Sequence, residues 1–262
     1  MPSSASARNI KTVSCAHHPD AEGTGEPAAL PSPVPGVALW WSDLAHPADQ
    51  IERIAPWLSP AETARAARFG TEALRGKYVA GRATLRLLLG RALGVAPASV
   101  ALQRGVRGRP ELAGGAATPD FNVSHTKGGA IFAIAHDLPG PFRIGVDIER
   151  DDRRVDADGL ARKFLTERER ASLQGADADA RRERFLRYWT CKEAMSKATG
   201  DGLVAPFARL DVDAGAALRL RGGPPPYLPD AWQLHAIAVP AGFLATLAVW
   251  RSDRAVTPAW RR

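Results

Sequence analysis

The sequence predicts an α+β fold made of two similar halves, and three observations carry that prediction. A strand, a short helix, a long helix and a set of strands occur in that order twice, roughly a hundred residues apart. The chain has 262 residues, enough for a sizeable core and for one or two domains. With 45% hydrophobic and 24% charged residues it has the composition of a soluble globular protein. No apolar run is long enough for a bilayer, since the longest, "AIAVPAGFLATLAVW", is broken by Pro240 and Gly242.

Residues 1–36, rich in Ser, Ala, Pro and Gly, carry no apolar period and are expected to form a disordered extension. The first half, residues 37–140, opens with the strand "GVALWWSDL". A helix follows in "LSPAETARAARF", with Ser59 as N-cap, Pro60 at the first helical position and Glu62 three residues after the cap. The longer helix "KYVAGRATLRLLLGRAL" comes next, then a strand near "VALQRG", a loop, and a strand–turn–strand in "DFNVSHTKGGAIFAIAHD".

The second half, residues 141–252, opens with the strand "RIGVDIER". A helix in "DADGLARKFLTERERASL" is interrupted near Thr166. The longer helix "ARRERFLRYWTCKEAMSKAT" stops at Gly200, a natural C′ residue. Strands are expected at "RLDVDAG", "ALRLRG", "WQLHAIAVP" and "FLATLAVW", and residues 253–262 form a tail. Two such halves side by side would leave a cleft between them, a common place for a ligand.

Chemistry concentrates in three stretches. In "RIGVDIER", Ile144, Val146 and Ile148 point to one face, while Gly145, Asp147 and Glu149 point to the other. Two carboxylates two residues apart on a strand repel, so basic side chains or a metal ion must offset them. In "YWTCKEAMSKATGDG", Trp189, Glu193 and Lys197 are spaced i, i+4, i+8 and share a helix face, either as an exposed Glu–Lys pair or as part of a site. In "FNVSHTKGG", Ser124, His125 and Lys127 precede a Gly-rich turn of the kind that receives a phosphate.

The formal charge of +7 suggests an anionic partner, such as nucleic acid, a phosphorylated small molecule or an acidic protein. The two cysteines, Cys15 and Cys191, form no disulfide framework, and the N-terminus lacks the pattern of a signal peptide, so a cytoplasmic location is expected.

Taken in order, "GRPEL", "FNVSHTKG", "IGVDIER" and "FLRYWTCKEAMSKATGDGL" resemble the Sfp-type 4'-phosphopantetheinyl transferase family over roughly residues 37–250. The resemblance implies a pseudo-dimer of two α+β halves with the active site in the cleft between them. It implies transfer of the 4'-phosphopantetheine arm of coenzyme A to a serine of an apo acyl or peptidyl carrier protein, with release of 3',5'-ADP. Asp147, Glu149 and Glu193 would hold Mg²⁺, Glu193 would act as base, and Lys197 would bind the phosphate under attack. Arg65, Arg82, Arg109, Ser124, His125, Lys192 and Lys197 would contact coenzyme A. Glu62 or Thr63 stands where many family members have an extra Lys. The family further implies a monomer serving secondary metabolism, with neither nucleic acid nor membrane as partner.

The segment "DDRRVDADGLARKFL" alternates Arg153, Arg154, Arg162 and Lys163 with Val155, Leu160 and Phe164. It is either an ordinary amphipathic helix or a basic docking face for an acidic carrier. The alternatives to transfer are a basic Mg²⁺-dependent nucleic-acid-binding or nuclease-like protein, and a catalytically silent carrier-binding protein.

Overall fold

The computed structural model describes residues 26–105, 107–114, 119–136 and 138–251. In the first half, β2 (Val37–Ser42) leads into α1 (Ala48–Ile54), α2 (Pro60–Ala66) and the long α3 (Glu72–Leu93). Ser59 starts α2 with a capping box: its hydroxyl accepts from Glu62 N–H, and the Glu62 carboxylate accepts from Ser59 N–H. Helix α3 begins at the Thr71 cap and stops at Gly94, whose φ of 69° is the left-handed conformation that glycine adopts freely. A short hairpin, β3 (Leu102–Arg104) and β4 (Pro110–Leu112), and a longer one, β5 (Asp120–Thr126) and β6 (Gly129–Ala135), complete the half.

The second half repeats this order. Strand β7 (Phe142–Arg150) is followed by α4 (Ala157–Phe164), α5 (Glu167–Leu173) and the long α6 (Ala178–Thr199). Thr166 breaks the predicted helix by capping α5, in a second capping box with Glu169. Then come the short hairpin β8 (Asp211–Ala214) and β9 (Leu218–Gly222) and the strands β10 (Trp232–Ala236) and β11 (Phe243–Arg251). The sheets share one topology: the first strand of each half pairs antiparallel with its last, giving β2–β6–β5 and β7–β11–β10. Mixed helix and strand in this order is the α+β architecture the sequence implies.

Each half has its own helix-on-sheet core, one around Phe132, Leu85 and Leu89, the other around Phe185, Met195 and Trp250. A third cluster joins them, with Ile144, Val146 and Ile148 of β7 packed among Leu39, Ile131, Ala133 and Leu247. The free edge of β7 meets side chains rather than a backbone ladder. Asp120, Asn122 and Ser124, on alternate residues of β5, accept from the N–H groups of Ile144, Val146 and Ile148. Buried backbone donors are thus satisfied while the two sheets stay distinct.

Three elements escaped the sequence reading. Strand β1 (Ala28–Leu30) pairs with β2 inside the stretch expected to be unstructured, α1 lies between the predicted strand and helix, and β4 lies in the predicted loop. Each is at most seven residues long, too short for a hydrophobic period to show. The expectations for residues 1–25 and 253–262 lie outside the described residues.

Candidate active site

Gly145 explains how a strand and a helix come to share one polar site. A Cβ there would lie 2.0 Å from Ala194 O and 2.6 Å from Ala198 N, so only glycine lets α6 rest directly on β7. Asp147 and Glu149, on the same face of the strand, therefore lie beneath the face of α6 that carries Trp189, Glu193 and Lys197. Asp147 is buried. Its Oδ1 accepts from Lys197 Nζ at 2.7 Å and from the Ser124 hydroxyl at 2.9 Å, while its Oδ2 is buried with no hydrogen-bond partner. Lys197 Nζ also donates to Ser124 Oγ at 2.7 Å, which leaves one of its three N–H groups for a ligand.

The carboxylates perturb one another. The Glu193 carboxyl is pushed up to about 7, first by burial, then by the charge of Asp147, with Lys197 pulling the other way and Glu149 adding to the rise. Glu149 is also raised, by burial and by Asp147, although the Arg153 guanidinium and a hydrogen bond from Trp189 draw it back. Arg153 forms an ion pair with Glu149. The residue expected to face a carrier is thus tied to the carboxylate site. Trp189 packs among Phe164, Phe185 and Phe207, as a residue that fixes the helix should.

Two residues expected at coenzyme A, Lys192 and Arg109, are engaged inside the protein instead. Lys192 is fully buried and donates to Glu169 Oε2 at 2.6 Å and to the carbonyls of Phe164 and Phe207, so it reaches neither phosphate nor solvent. One residue along a helix turns the side chain by about 100°, which carries Lys192 away from the Glu193 face and into the second core. Arg109 is buried too. It grips both carboxylate oxygens of Asp120 and donates to the carbonyls of Phe121, Ile144 and Lys197, which makes it a strut between the halves rather than an open phosphate fork. Ser124, next to His125 in β5, donates to Asp147 and accepts from Lys197, which places it at the carboxylate end of the cavity.

The remaining candidates line a cavity of about 1520 Å³ whose walls all come from residues 43–132. Arg65, Arg82 and His125 stand in that wall, together with Lys77, Arg86, Arg104 and Lys127, so it is strongly cationic. Lys77 and Arg104 were not singled out from the sequence, where nothing separates them from other surface arginines and lysines. The cavity thus belongs to the first half rather than opening equally on both. Its His125 end adjoins the carboxylates: partial desolvation and Lys197 lower the His125 pKa, while Asp147 works in the opposite direction.

Among the described residues, no three His, Cys, Asp or Glu side chains form a ready-made metal cage. Arg153 and Lys197 each hold a carboxylate that a cation would otherwise gather. The chemistry of the donors still fits a hard divalent ion. All are carboxylate oxygens, and Asp147 Oδ2 is buried and unpartnered.

Residues 143–248 match the 4'-phosphopantetheinyl transferase superfamily. The chain is 38% identical over 169 residues to the 4'-phosphopantetheinyl transferase HetI of Nostoc sp. (strain PCC 7120), covering 64% of this chain and 70% of that protein. It is 31% identical over 213 residues to a phosphopantetheinyl transferase of Thraustochytrium sp., covering 73% and 69%. It is 26% identical over 185 residues to the 4'-phosphopantetheinyl transferase of Bacillus subtilis, covering 68% and 78%. These likenesses give no support to a nucleic-acid-binding or nuclease-like protein.

Proposed function

We propose how this chain, which belongs to the 4'-phosphopantetheinyl transferase superfamily and transfers phosphopantetheine to carrier proteins, divides that reaction between its halves. Residues 37–140 take the nucleotide end of coenzyme A in the cationic cavity. Residues 141–252 would hold Mg²⁺ through Asp147, Glu149 and Glu193. The observation that carries the proposal is the meeting of these carboxylates with Lys197 beside the His125 end of the cavity.

When bound, Mg²⁺ supplies positive charge to the pyrophosphate oxygens and to the leaving group. Everything else falls to side chains. Arg82 and His125 receive the 3'-phosphate, with Arg65 in the same wall; a charge-assisted bond from a guanidinium suits that anion. Glu193, directly or through a water, takes the proton of the carrier serine. The serine oxygen then bonds to the phosphorus that carries pantetheine, the bond from that phosphorus to the ADP oxygen breaks, and 3',5'-ADP leaves. The free N–H of Lys197 stabilises the oxygens of the phosphoryl group in transit. Ser124 and the buried ladder from β5 hold Asp147 and Lys197 in place for this.

The chain acts on acyl or peptidyl carrier proteins of secondary metabolism, in the cytoplasm and as a monomer. Among the described residues no helix is long and apolar enough to cross a membrane. The test combines the protein with coenzyme A, Mg²⁺ and an apo carrier and weighs the carrier. A mass gain of one phosphopantetheine on the carrier serine, lost with EDTA and in Asp147→Ala, is expected. Full turnover in metal-free buffer would remove Mg²⁺ from the account.

A further inference from the structure

We infer that Glu62 is a positioning residue for coenzyme A binding: it holds the Arg82 guanidinium against the cavity wall with one edge turned to the ligand. This inference rests on the proposed nucleotide role of the cavity.

The argument comes from the repeat. Glu62 and Glu169 occupy the same place, third in a capping box, and each reaches the fifteenth residue of the long helix of its half, Arg86 in α3 and Lys192 in α6. In both halves that partner is buried and its other donors go to backbone carbonyls, from Pro97, Ala98 and Val100 or from Phe164 and Phe207. One carboxylate with one buried cation is thus what this fold uses to tie a short helix to a long one. The second half stops there, with both side chains fully buried.

The first half adds a cation. Arg82, the eleventh residue of α3, donates to Glu62 Oε1 through both Nε, at 2.7 Å, and Nη2. The eleventh residue of α6 is Tyr188, so the fold itself does not require a cation there. Both bonds leave from one edge of the guanidinium, and Nη1 donates to no acceptor among the described residues. The Arg82 side chain stays 22% exposed and lines the cavity. A free arginine loses rotamer freedom when a ligand fixes it. An arginine already fixed by Glu62 loses less, and that difference appears as affinity. With two guanidinium groups on one carboxylate the triad keeps a net positive charge, so a phosphate remains the matching anion.

The experiment measures dissociation constants for coenzyme A and for 3'-dephospho-coenzyme A by calorimetry, in wild type, Glu62→Gln, Arg82→Gln and the double variant. Glu62→Gln is expected to cut the preference for coenzyme A about fivefold to tenfold, and to cut it no further once Arg82 is already Gln. A merely structural role would lower thermal stability and leave the preference alone. An unchanged preference in Glu62→Gln, or an effect that adds in full to that of Arg82→Gln, would overturn the inference while leaving the cavity's role intact. If wild type bound neither ligand, the cavity reading and this inference would fall together. Should Glu62→Gln not fold, Glu62→Asp keeps the charge but withdraws it by one methylene, and the same comparison with Arg82→Gln decides.

Discussion

The two halves of the molecule share a plan and differ in what their long helices carry. Both helices have 22 residues, both end at a left-handed glycine, and both are tied by a capping-box glutamate to their fifteenth residue. At the sixteenth position α3 has Leu87 and α6 has Glu193; at the twentieth, α3 has Arg91 and α6 has Lys197. The first half then keeps an open cationic cavity between its helices and its sheet, whereas the second is closed by an aromatic core and turns its polar residues toward β7. A duplicated scaffold thus yields two unlike surfaces through a few positions, with its tying contacts unchanged. One half can bind an anionic nucleotide while the other does the chemistry.

The largest effects should come from breaking the reacting half alone. Glu193→Gln is expected to lower kcat by about 10²–10⁴-fold, the usual range for loss of a general base, while the fold survives. Asp147→Asn should be comparably damaging, because it removes charge from the one carboxylate that Lys197 and Ser124 both hold. Steady-state kinetics on an apo carrier would check both. A variant within tenfold of wild type would mean that the site lies elsewhere.

The tying contacts can be broken separately. Lys192→Met leaves the Glu169 charge buried and unpaired, and should destabilise the protein by about 3–5 kcal/mol. The protein that remains folded should bind coenzyme A as wild type does, since Lys192 touches no cavity. Denaturant unfolding and calorimetry read the two outcomes. A normal stability with weakened coenzyme A binding would restore Lys192 to the ligand.

On the nucleotide side, His125→Ala should weaken coenzyme A more than 3'-dephospho-coenzyme A, by about 1.5–3 kcal/mol if a charge-assisted bond is lost. Equal losses for both ligands would show that His125 does not meet the 3'-phosphate.

How much of this was legible depends on where each partner lies in the chain. Local signals were readable: the Ser59–Pro60–Glu62 start, the Gly94 and Gly200 stops, and the two faces of β7. The face that joins Glu193 to Lys197 was readable from helical spacing. The internal partners of Arg109, Lys192 and Ser124 were not readable because they come from distant elements. Asp120 is 11 residues from Arg109, Glu169 is 23 from Lys192, and Asp147 is 23 from Ser124. Nothing near Lys192 says that it faces inward. The duplicated capping box does say so, once Thr166 and Glu169 are set beside Ser59 and Glu62.

Proton linkage gives a smaller but sharper contrast. Glu193 has a folded value of about 7, above its ordinary 4.5, so the folded state holds that proton more tightly than the unfolded chain. This contribution to stability is present in full below about 4.5 and is lost as pH rises through 7. The metal-free protein should therefore lose stability across that window, and Glu193→Gln should lose less, with only the raised Glu149 left to contribute. Mg²⁺ needs the deprotonated carboxylate, so its affinity for the free protein should rise over the same range. Thermal unfolding with EDTA and calorimetry with Mg²⁺ test the pair; a flat profile in both would contradict the assignment. The smallest effect is expected from Arg153→Gln, which frees Glu149 from an exposed partner worth about 0.2–1 kcal/mol and should tighten Mg²⁺ binding a few fold at most.

The division of labour is tested most directly by one ratio, the affinity for coenzyme A over that for 3'-dephospho-coenzyme A, measured by calorimetry in Mg²⁺ buffer for Glu193→Gln and for wild type. If the first half alone reads the 3'-phosphate, the ratio in Glu193→Gln equals that of wild type although transfer is lost. A ratio that collapses toward one in this variant would show that the halves do not bind and react separately, and would contradict the account.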